Sequence, residues 1–286
     1  MKSLLMMKAM RTEFGIPLLY TIKRYKKRHE SNWGTSIVAY FSSMLRDYIW
    51  IPIYILLVTD GPYLFQVLGF LLHLLAFSVA YEAGYIYTDN ISVKKESPEI
   101  RKIIYKHAVP DTHTYIAILI RILVLSSMLI FMQPWLSPEI TGMYFSVFVI
   151  YYIYGNLEEK YRVPLFLILR FLKGFVPSAF LLLSLESVPV MLITLLLLAT
   201  ALFFTIEYGS RKLELPYINV QMMKYVWVRY LIIFVFLAPY IIVDHIPLRD
   251  FSLVFTIYVG VHISMIILSL LRKVVSRVAL ADLKKS

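Results

Sequence analysis

Three carboxylates follow one another at intervals of seven residues where a long apolar run ends. They are Glu82, Asp89 and Glu96, within the stretch YEAGYIYTDNISVKKESPEIRK at 81–102. Seven residues are nearly two helical turns, so the three would share one face of a continuous helix, with neighbours about 10 Å apart. That gap suits a diphosphate carrying Mg²⁺, because Mg²⁺ favours carboxylates together with substrate phosphates. A charged helix end facing water is the alternative interpretation, but it suits Glu82 poorly, since an intramembrane carboxylate without a partner is costly.

Cationic side chains within other apolar runs are candidates to neutralise such a ligand. Arg170 and Lys173 are three residues apart and therefore share one helix face. The further candidates are Arg121, Arg211, Lys212 and Arg229. Cations inside a membrane are expensive unless they meet an anion. Phosphate binding and a purely structural network, in which Arg170 and Lys173 pair with Glu82 and Glu207, are equally open interpretations.

The elements that must position these groups are membrane-spanning helices. Of the 286 residues, 59% are hydrophobic and only 16% are charged, whereas a soluble domain carries about a quarter of charged residues. A spanning helix needs about 20 mostly apolar residues. Such runs lie near 44–59, 63–87, 113–133, 138–155, 163–185, 188–207, 224–243 and 249–271. The sequence therefore predicts an all-α polytopic membrane protein with a bundle of about eight transmembrane helices.

Basic residues mark alternate connections between these runs. Lys and Arg crowd 23–28, 94–106, 160–162, 211–212 and 272–285, whereas the turns TDGPY, QPWLSPE, LESVP and VDHIP contain none. Because cytoplasmic loops are rich in Lys and Arg, this pattern predicts that both chain ends and the motif loops face the cytoplasm, in a plasma or cytoplasmic membrane. The same pattern accounts for the net charge of +11, so we expect no nucleic-acid partner. The absence of cysteine excludes disulfides and thiol chemistry.

Three regions follow from this distribution. Residues 1–35 form a basic amphipathic segment predicted to lie on the cytoplasmic surface of the membrane. Residues 36–272 form the transmembrane bundle, and 273–286 form a basic tail. The connections at 88–112 and 208–223 are longer than a turn requires, and long loops in a compact bundle are often functional.

The residues of the first long connection resemble a known motif. TDNISVKKE at 88–96 is similar to the N-D-x-x-D-x-x-x-D motif of the UbiA-type intramembrane prenyltransferases, which follows the second helix. Asp89 matches the first aspartate, Glu96 replaces the third, and Ser92 occupies the position of the second. As in that family, a short stretch with Pro and Arg comes next, here containing Arg101.

The second acidic motif of that family, D-x-x-x-D, follows the sixth helix. EYGSR at 207–211 occupies this place, so Glu207 matches the first acid while Arg211 has replaced the second. The family usually has nine helices, against the eight counted here. The match therefore indicates a divergent member whose second acidic motif is degenerate.

The resemblance implies Mg²⁺-assisted transfer of a prenyl group from an isoprenoid diphosphate to an acceptor. Asp89, Glu96 and Glu207 would hold the metal. The catalytic candidates are Glu82, Arg170, Lys173 and Arg211, and the substrate-binding candidates are Asn90, Ser92, Arg101, Arg121 and Lys212. Transfer of phosphoribose to a polyprenyl phosphate is a related option. The alternative is a catalytically inactive UbiA-like protein that binds lipid or assembles with partners in a membrane complex; a small-solute transporter has the least support.

Overall fold

The computed structural model describes residues 12–29, 37, 49–58, 62–95, 110–182, 189–213, 226–243, 248–261 and 263–264. Every regular element within these ranges is helical. In chain order the helices are α1 Thr12–Gly15, α2 Leu19–His29, α3 Trp50–Val58, α4 Tyr63–Asn90, α5 Asp111–Phe131, α6 Pro138–Asn156, α7 Arg162–Leu182, α8 Pro189–Leu196, α9 Phe203–Lys212, α10 Val226–Leu237, α11 Pro239–Val243 and α12 at 248–261. The predicted all-α class is confirmed.

Four helical stretches are long and apolar enough to cross a bilayer. They are Tyr63–Lys94, Asp111–Phe131, Arg162–Leu182 and Val190–Ser210, and they coincide with the predicted spans 63–87, 113–133, 163–185 and 188–207. A π-helical segment at Leu197–Leu202 joins α8 to α9, so these two helices run on as one span. These four stretches indicate that the chain is a membrane protein.

The other four predicted spans fall on helices that do not meet the same length and hydropathy requirements within the described residues. These helices are α3, α6, α10 with α11, and α12. The α6 helix has 19 residues, but its four tyrosines and its polar ends lower its mean hydropathy. Helix length and composition thus support four of the eight predicted spans and leave the orientation open.

The long helix α4 occupies the centre of the described bundle. It packs against α5, α6 and α7, and most of its second half is buried. Its contact with α6 depends on Gly84, because a Cβ atom there would lie 2.0 Å from the Tyr151 ring. Small residues at such seams let helix backbones approach closely in membranes. The position of the candidate site residues is therefore set by tight packing around α4.

The beginning of the described chain docks on this core. Phe14, Tyr20 and Thr21 are buried, and Phe14 and Tyr20 form a small cluster with Ile86 of α4 and Ala117 of α5. The predicted surface segment at 1–35 is described over 12–29, where the inward side of α1 and α2 packs on the bundle. The site thus receives residues from the N-terminal segment as well as from the spans.

Candidate functional site

Glu82 in α4 is completely buried and accepts hydrogen bonds from three groups. Its Oε2 lies 3.0 Å from Nε of Arg121 in α5, and neither side chain is exposed. The backbone N–H of Leu18 donates to the same oxygen over 2.6 Å, and that of Thr21 donates to Oε1 over 2.9 Å. These two N–H groups belong to the start of α2, where a carboxylate satisfies unpaired donors and the helix dipole. Glu82 therefore caps α2.

Arg121 also binds backbone groups of the N-terminal segment, just before those that Glu82 binds. Its guanidinium donates to the carbonyl of Phe14 and, over 2.9 Å, to that of Ile16. The Phe14 carbonyl belongs to α1, and the Ile16 carbonyl belongs to the bend that follows, which also contains Leu18 with a φ of 69°. The ion pair thus binds both sides of this bend, and the two predicted site residues Glu82 and Arg121 are brought together there.

Asp89 lies two turns further along α4 and faces the same N-terminal helix. Its Oδ2 is 3.0 Å from Nε of Arg24, its Oδ1 accepts from Nη2 of Arg24 over 3.3 Å, and Tyr20 donates its hydroxyl proton over 3.1 Å. The carboxylate and guanidinium therefore meet through two parallel hydrogen bonds, which is a strong and directional arrangement. The adjacent Asn90 donates to the Tyr20 hydroxyl and to the Ile86 carbonyl.

Tyrosine rings from α4 and α6, of which Tyr81 and Tyr151 are buried, form a continuous aromatic cluster beside Asp89, which we call the tyrosine wall. Its members are Tyr81, Tyr85, Tyr151 and Tyr154, whose neighbouring ring centroids lie 5.0–6.3 Å apart. The guanidinium carbon of Arg24 lies 4.0 Å from the centroid of the Tyr85 ring. A cation over an aromatic face is attracted by the quadrupole of the ring. Arg24 is therefore held between Asp89 and the wall.

Two predicted cations approach the tyrosine wall from α7. Lys173 is 5% exposed, and its Nζ lies 5.6 Å from the centroid of the Tyr81 ring. The guanidinium carbon of Arg170 lies 4.1 Å from the centroid of Phe204 in α9, and Arg170 also interacts electrostatically with Tyr85. The predicted pair is thus placed at one aromatic surface, together with Arg24.

Ser92 follows α4 and is tied to the connection between α6 and α7. Its hydroxyl donates to the Gly155 carbonyl over 2.8 Å and accepts from Nη2 of Arg162 over 3.1 Å. Arg162 is 5% exposed, also donates to the Leu157 carbonyl, and lies with its guanidinium carbon 5.4 Å from the Tyr154 ring. The contacts of Ser92 therefore hold the end of α4 against its neighbours.

The second predicted motif falls in α9, next to the far side of the wall. Glu207 is half-buried there, and Arg211 and Lys212 fall in the last turn of the helix. Tyr208 shares a 2.9 Å hydrogen bond with the Tyr154 hydroxyl and stacks on Phe166. Glu96 and Arg101 lie outside the described residues.

The described residues include two of the three predicted magnesium ligands, Asp89 and Glu207. Among all the residues that the structure describes, no group of three or more His, Cys, Asp or Glu side chains is close enough to hold a metal ion. Both carboxylate oxygens of Asp89 contact Arg24 or Tyr20. Protein cations, rather than an acidic cluster, surround the tyrosine wall in this part of the chain.

The cavity between α4 and α5 has a different character. It is an open depression of about 390 Å³, lined by Leu72, Leu123, Val124, Ser127, Met128, Phe131 and Met132. Leu72 lies nine residues before Tyr81 in α4, which is about 13 Å along the helix. With no charged group in its lining, this cavity suits an apolar chain and not a phosphate.

Sequence reasoning missed Arg24, Tyr20 and Arg162 as members of the site. Arg24 lies in the basic run IKRYKKRHE, in which charge alone does not distinguish the residue that points inward. Tyr20 and Arg24 are four residues apart and therefore share a helix face. The four-residue spacing of this aromatic and this cationic residue is the sequence feature that could have indicated that both face the site.

The comparisons with known proteins add no relative. No protein-family model matches the chain, and no curated protein or solved structure matches it either.

Proposed function

We propose that this chain is a membrane-embedded transferase, similar to the UbiA-type prenyltransferases, which acts on an isoprenoid diphosphate. The observation that carries the proposal is the buried Lys173 on the face of Tyr81, with Arg170 one turn away. Cations buried in membrane helices are costly unless they meet an anion. A phosphorylated lipid supplies that anion and places its apolar chain in the bilayer.

The chemistry assigned to the site follows from its charges and rings. The bond between C1 of the prenyl chain and the diphosphate oxygen breaks, and the electron pair leaves with the diphosphate. A new bond joins C1 to the acceptor, which loses a proton. Arg170 and Lys173 stabilise the charge of the leaving group, and the tyrosine wall stabilises positive charge at C1.

Magnesium enters this proposal through the resemblance to the family. Asp89, Glu96 and Glu207 are the residues that would hold it, and the ion would add to the charge neutralisation of the diphosphate. Asp89 would take part only after exchanging its contacts with Arg24 and Tyr20. The contribution of Mg²⁺ to diphosphate binding is measured by comparing the affinity in excess Mg²⁺ with the affinity in EDTA.

The proposal includes the topology predicted from the basic loops. Eight spans with both chain ends in the cytoplasm place Asp89 and the tyrosine wall near the cytoplasmic surface. The four long apolar stretches and the alternation of Lys and Arg support this arrangement. A soluble or cytoplasmic acceptor would then reach the site from that side.

Removal of the Lys173 charge tests the function. We expect Lys173→Met, in protein reconstituted in nanodiscs, to weaken binding of a prenyl thiodiphosphate at least about tenfold, because charged hydrogen bonds contribute roughly 1.5–3 kcal/mol. The measurement is a binding isotherm. Lys160→Met is the matched control, since Lys160 is exposed and pairs with Glu158 outside the wall. Equal affinities for Lys173→Met and the wild type would contradict the proposal.

A second candidate is a catalytically inactive lipid-binding or assembly protein in a membrane complex. The contact between Asp89 and Arg24 favours it, as do Ser92 and Arg211 at positions where the family has metal ligands. Mass spectrometry of the lipid that copurifies with the protein identifies the head group, and thereby also tests the phosphoribose option. Tight binding of a prenyl diphosphate with no product from any acceptor would favour this second candidate.

A further inference from the structure

We infer that Asp89 positions Arg24, and that Arg24, supplied by the N-terminal helix α2, binds the phosphate of the lipid. The inference rests on the proposed function, because it assumes that the tyrosine wall receives a phosphorylated lipid. It assigns Asp89 a role other than metal ligation, and it adds a residue from the predicted surface segment to the site.

The first step is the fixed location of α2. Leu18 and Thr21 donate their backbone N–H groups to the buried Glu82. Arg24 follows Thr21 by three residues, which is slightly less than one helical turn. The side chain of Arg24 therefore starts from a backbone that a fully buried ion pair holds in place.

The second step is the orientation of the guanidinium. The guanidinium donates two hydrogen bonds to Asp89, which fix its plane, and the centroid of the Tyr85 ring lies 4.0 Å from its carbon atom. This leaves 35% of the Arg24 side chain exposed, compared with 6% of Asp89. A ligand entering from the solvent-accessible side thus meets the guanidinium before it meets the carboxylate.

The third step is the shared surface. Arg24 and Arg170 both interact electrostatically with Tyr85, although they come from α2 and α7. Lys173 lies on the neighbouring ring of Tyr81. Three cations from two elements therefore border one aromatic surface. A phosphate or diphosphate has enough oxygens to contact several of them, and a guanidinium matches its geometry with two parallel hydrogen bonds.

The alternative, in which Asp89 binds Mg²⁺, requires a larger change. Arg24 and Tyr20 would both have to leave the carboxylate, while α2 stays fastened at Glu82. Positioning of Arg24 requires no rearrangement. The two roles make opposite predictions for Arg24→Gln, because loss of a competing cation would strengthen metal binding at Asp89.

The test is binding of a prenyl thiodiphosphate to the full-length protein in nanodiscs, measured in EDTA. We expect Arg24→Gln and Asp89→Asn each to weaken binding about tenfold. The double variant should bind no more weakly than either single variant, because both changes remove the same contact. Arg24→Lys should lose less than Arg24→Gln, since it retains the charge but not the planar guanidinium. Lys23→Gln, a change of the neighbouring basic residue, is the control.

A prenyl alcohol of the same chain length separates positioning from a general structural defect. We expect the alcohol to bind Arg24→Gln and the wild type equally, because it carries no phosphate. Wild-type affinity of Arg24→Gln for the diphosphate, or equal losses for the alcohol and the diphosphate, would overturn the inference while leaving the function in place. Binding by the wild type only in excess Mg²⁺ would overturn the inference while leaving the function in place, whereas failure to bind the diphosphate in both EDTA and Mg²⁺ would refute the two together.

Discussion

The buried pair of Glu82 and Arg121 shows how single residues govern this structure. Each charge is removed from solvent, yet each is matched by its partner and by backbone groups of the N-terminal segment. A buried ion pair of this kind contributes little net stability, whereas removal of one partner leaves an uncompensated charge. The pair therefore acts mainly by holding the N-terminal segment in place, and loss of either partner lowers the free energy of unfolding.

Glu82→Gln tests this role of the pair. We expect a loss of about 3–5 kcal/mol in the free energy of unfolding, because Arg121 would remain buried without its counter-charge. The measurement is unfolding of the detergent-solubilised protein followed by circular dichroism. Lys94→Gln is the matched control, since Lys94 and Asp111 form an exposed pair expected to contribute at most about 1 kcal/mol. Equal stability of the two variants would show that the buried pair is not needed.

Charged residues within apolar runs identified part of the site from the sequence. The residues that pair with them were harder to predict. Glu82, Arg121, Arg170 and Lys173 are conspicuous because charges are rare inside membrane helices. The partner of Asp89 is not conspicuous, because Arg24 lies in a run where most residues are basic. Choosing among them required knowledge of the face that α2 turns to α4.

At the scale of elements, the seam between α4 and α6 determines the shape of the tyrosine wall. Gly84 admits the Tyr151 ring, and Gly155 of α6 admits the Tyr87 ring in the same way. Each helix thus contributes one glycine that leaves room for a tyrosine ring of the other helix. The Tyr151 ring takes its place in the wall because position 84 lacks a side chain.

Gly84→Ala tests the seam. A Cβ atom 2.0 Å from the Tyr151 ring forces the ring or the helix to move, which costs about 1–3 kcal/mol. Gly142→Ala, also in a helix, is the control. Nothing lies within 4 Å of its Cβ position, so we expect a gain of up to about 1 kcal/mol from helix propensity. Thermal unfolding of both variants provides the comparison, and a Gly84→Ala protein as stable as Gly142→Ala would refute this account.

Elements of ordinary length and hydropathy were the most predictable part of the fold. Four spans agree with the apolar runs because about 20 such residues suffice to cross a bilayer. The π-helical segment at Leu197–Leu202 was not predicted, because its residues are as apolar as their neighbours and carry no breaking residue. The segment packs against α7.

At the scale of the whole molecule, the ends of α5 report the orientation. The cysteine-free chain allows single cysteines to be introduced at Thr112 and Gln133, which are exposed at opposite ends of this helix. The helix has 21 residues, and it is therefore about 30 Å long. In intact cells, we expect a membrane-impermeant maleimide to label Gln133→Cys and not Thr112→Cys.

Inverted vesicles should reverse that labelling pattern. Labelling of both cysteines from one side would show that α5 does not cross the membrane. Labelling of Thr112→Cys alone in intact cells would show that the bundle has the opposite orientation, which would move Asp89 and its surroundings away from the cytoplasm.

The bend at Leu18 has a consequence for how the protein is made. Arg121, which holds this bend, lies 107 residues after Phe14 in the chain, and the groups that close around the bend come from both α4 and α5. Phe14 is therefore synthesised about a hundred residues before the guanidinium that binds its carbonyl. The segment can therefore take its place on the bundle only after α4 and α5 have both been made.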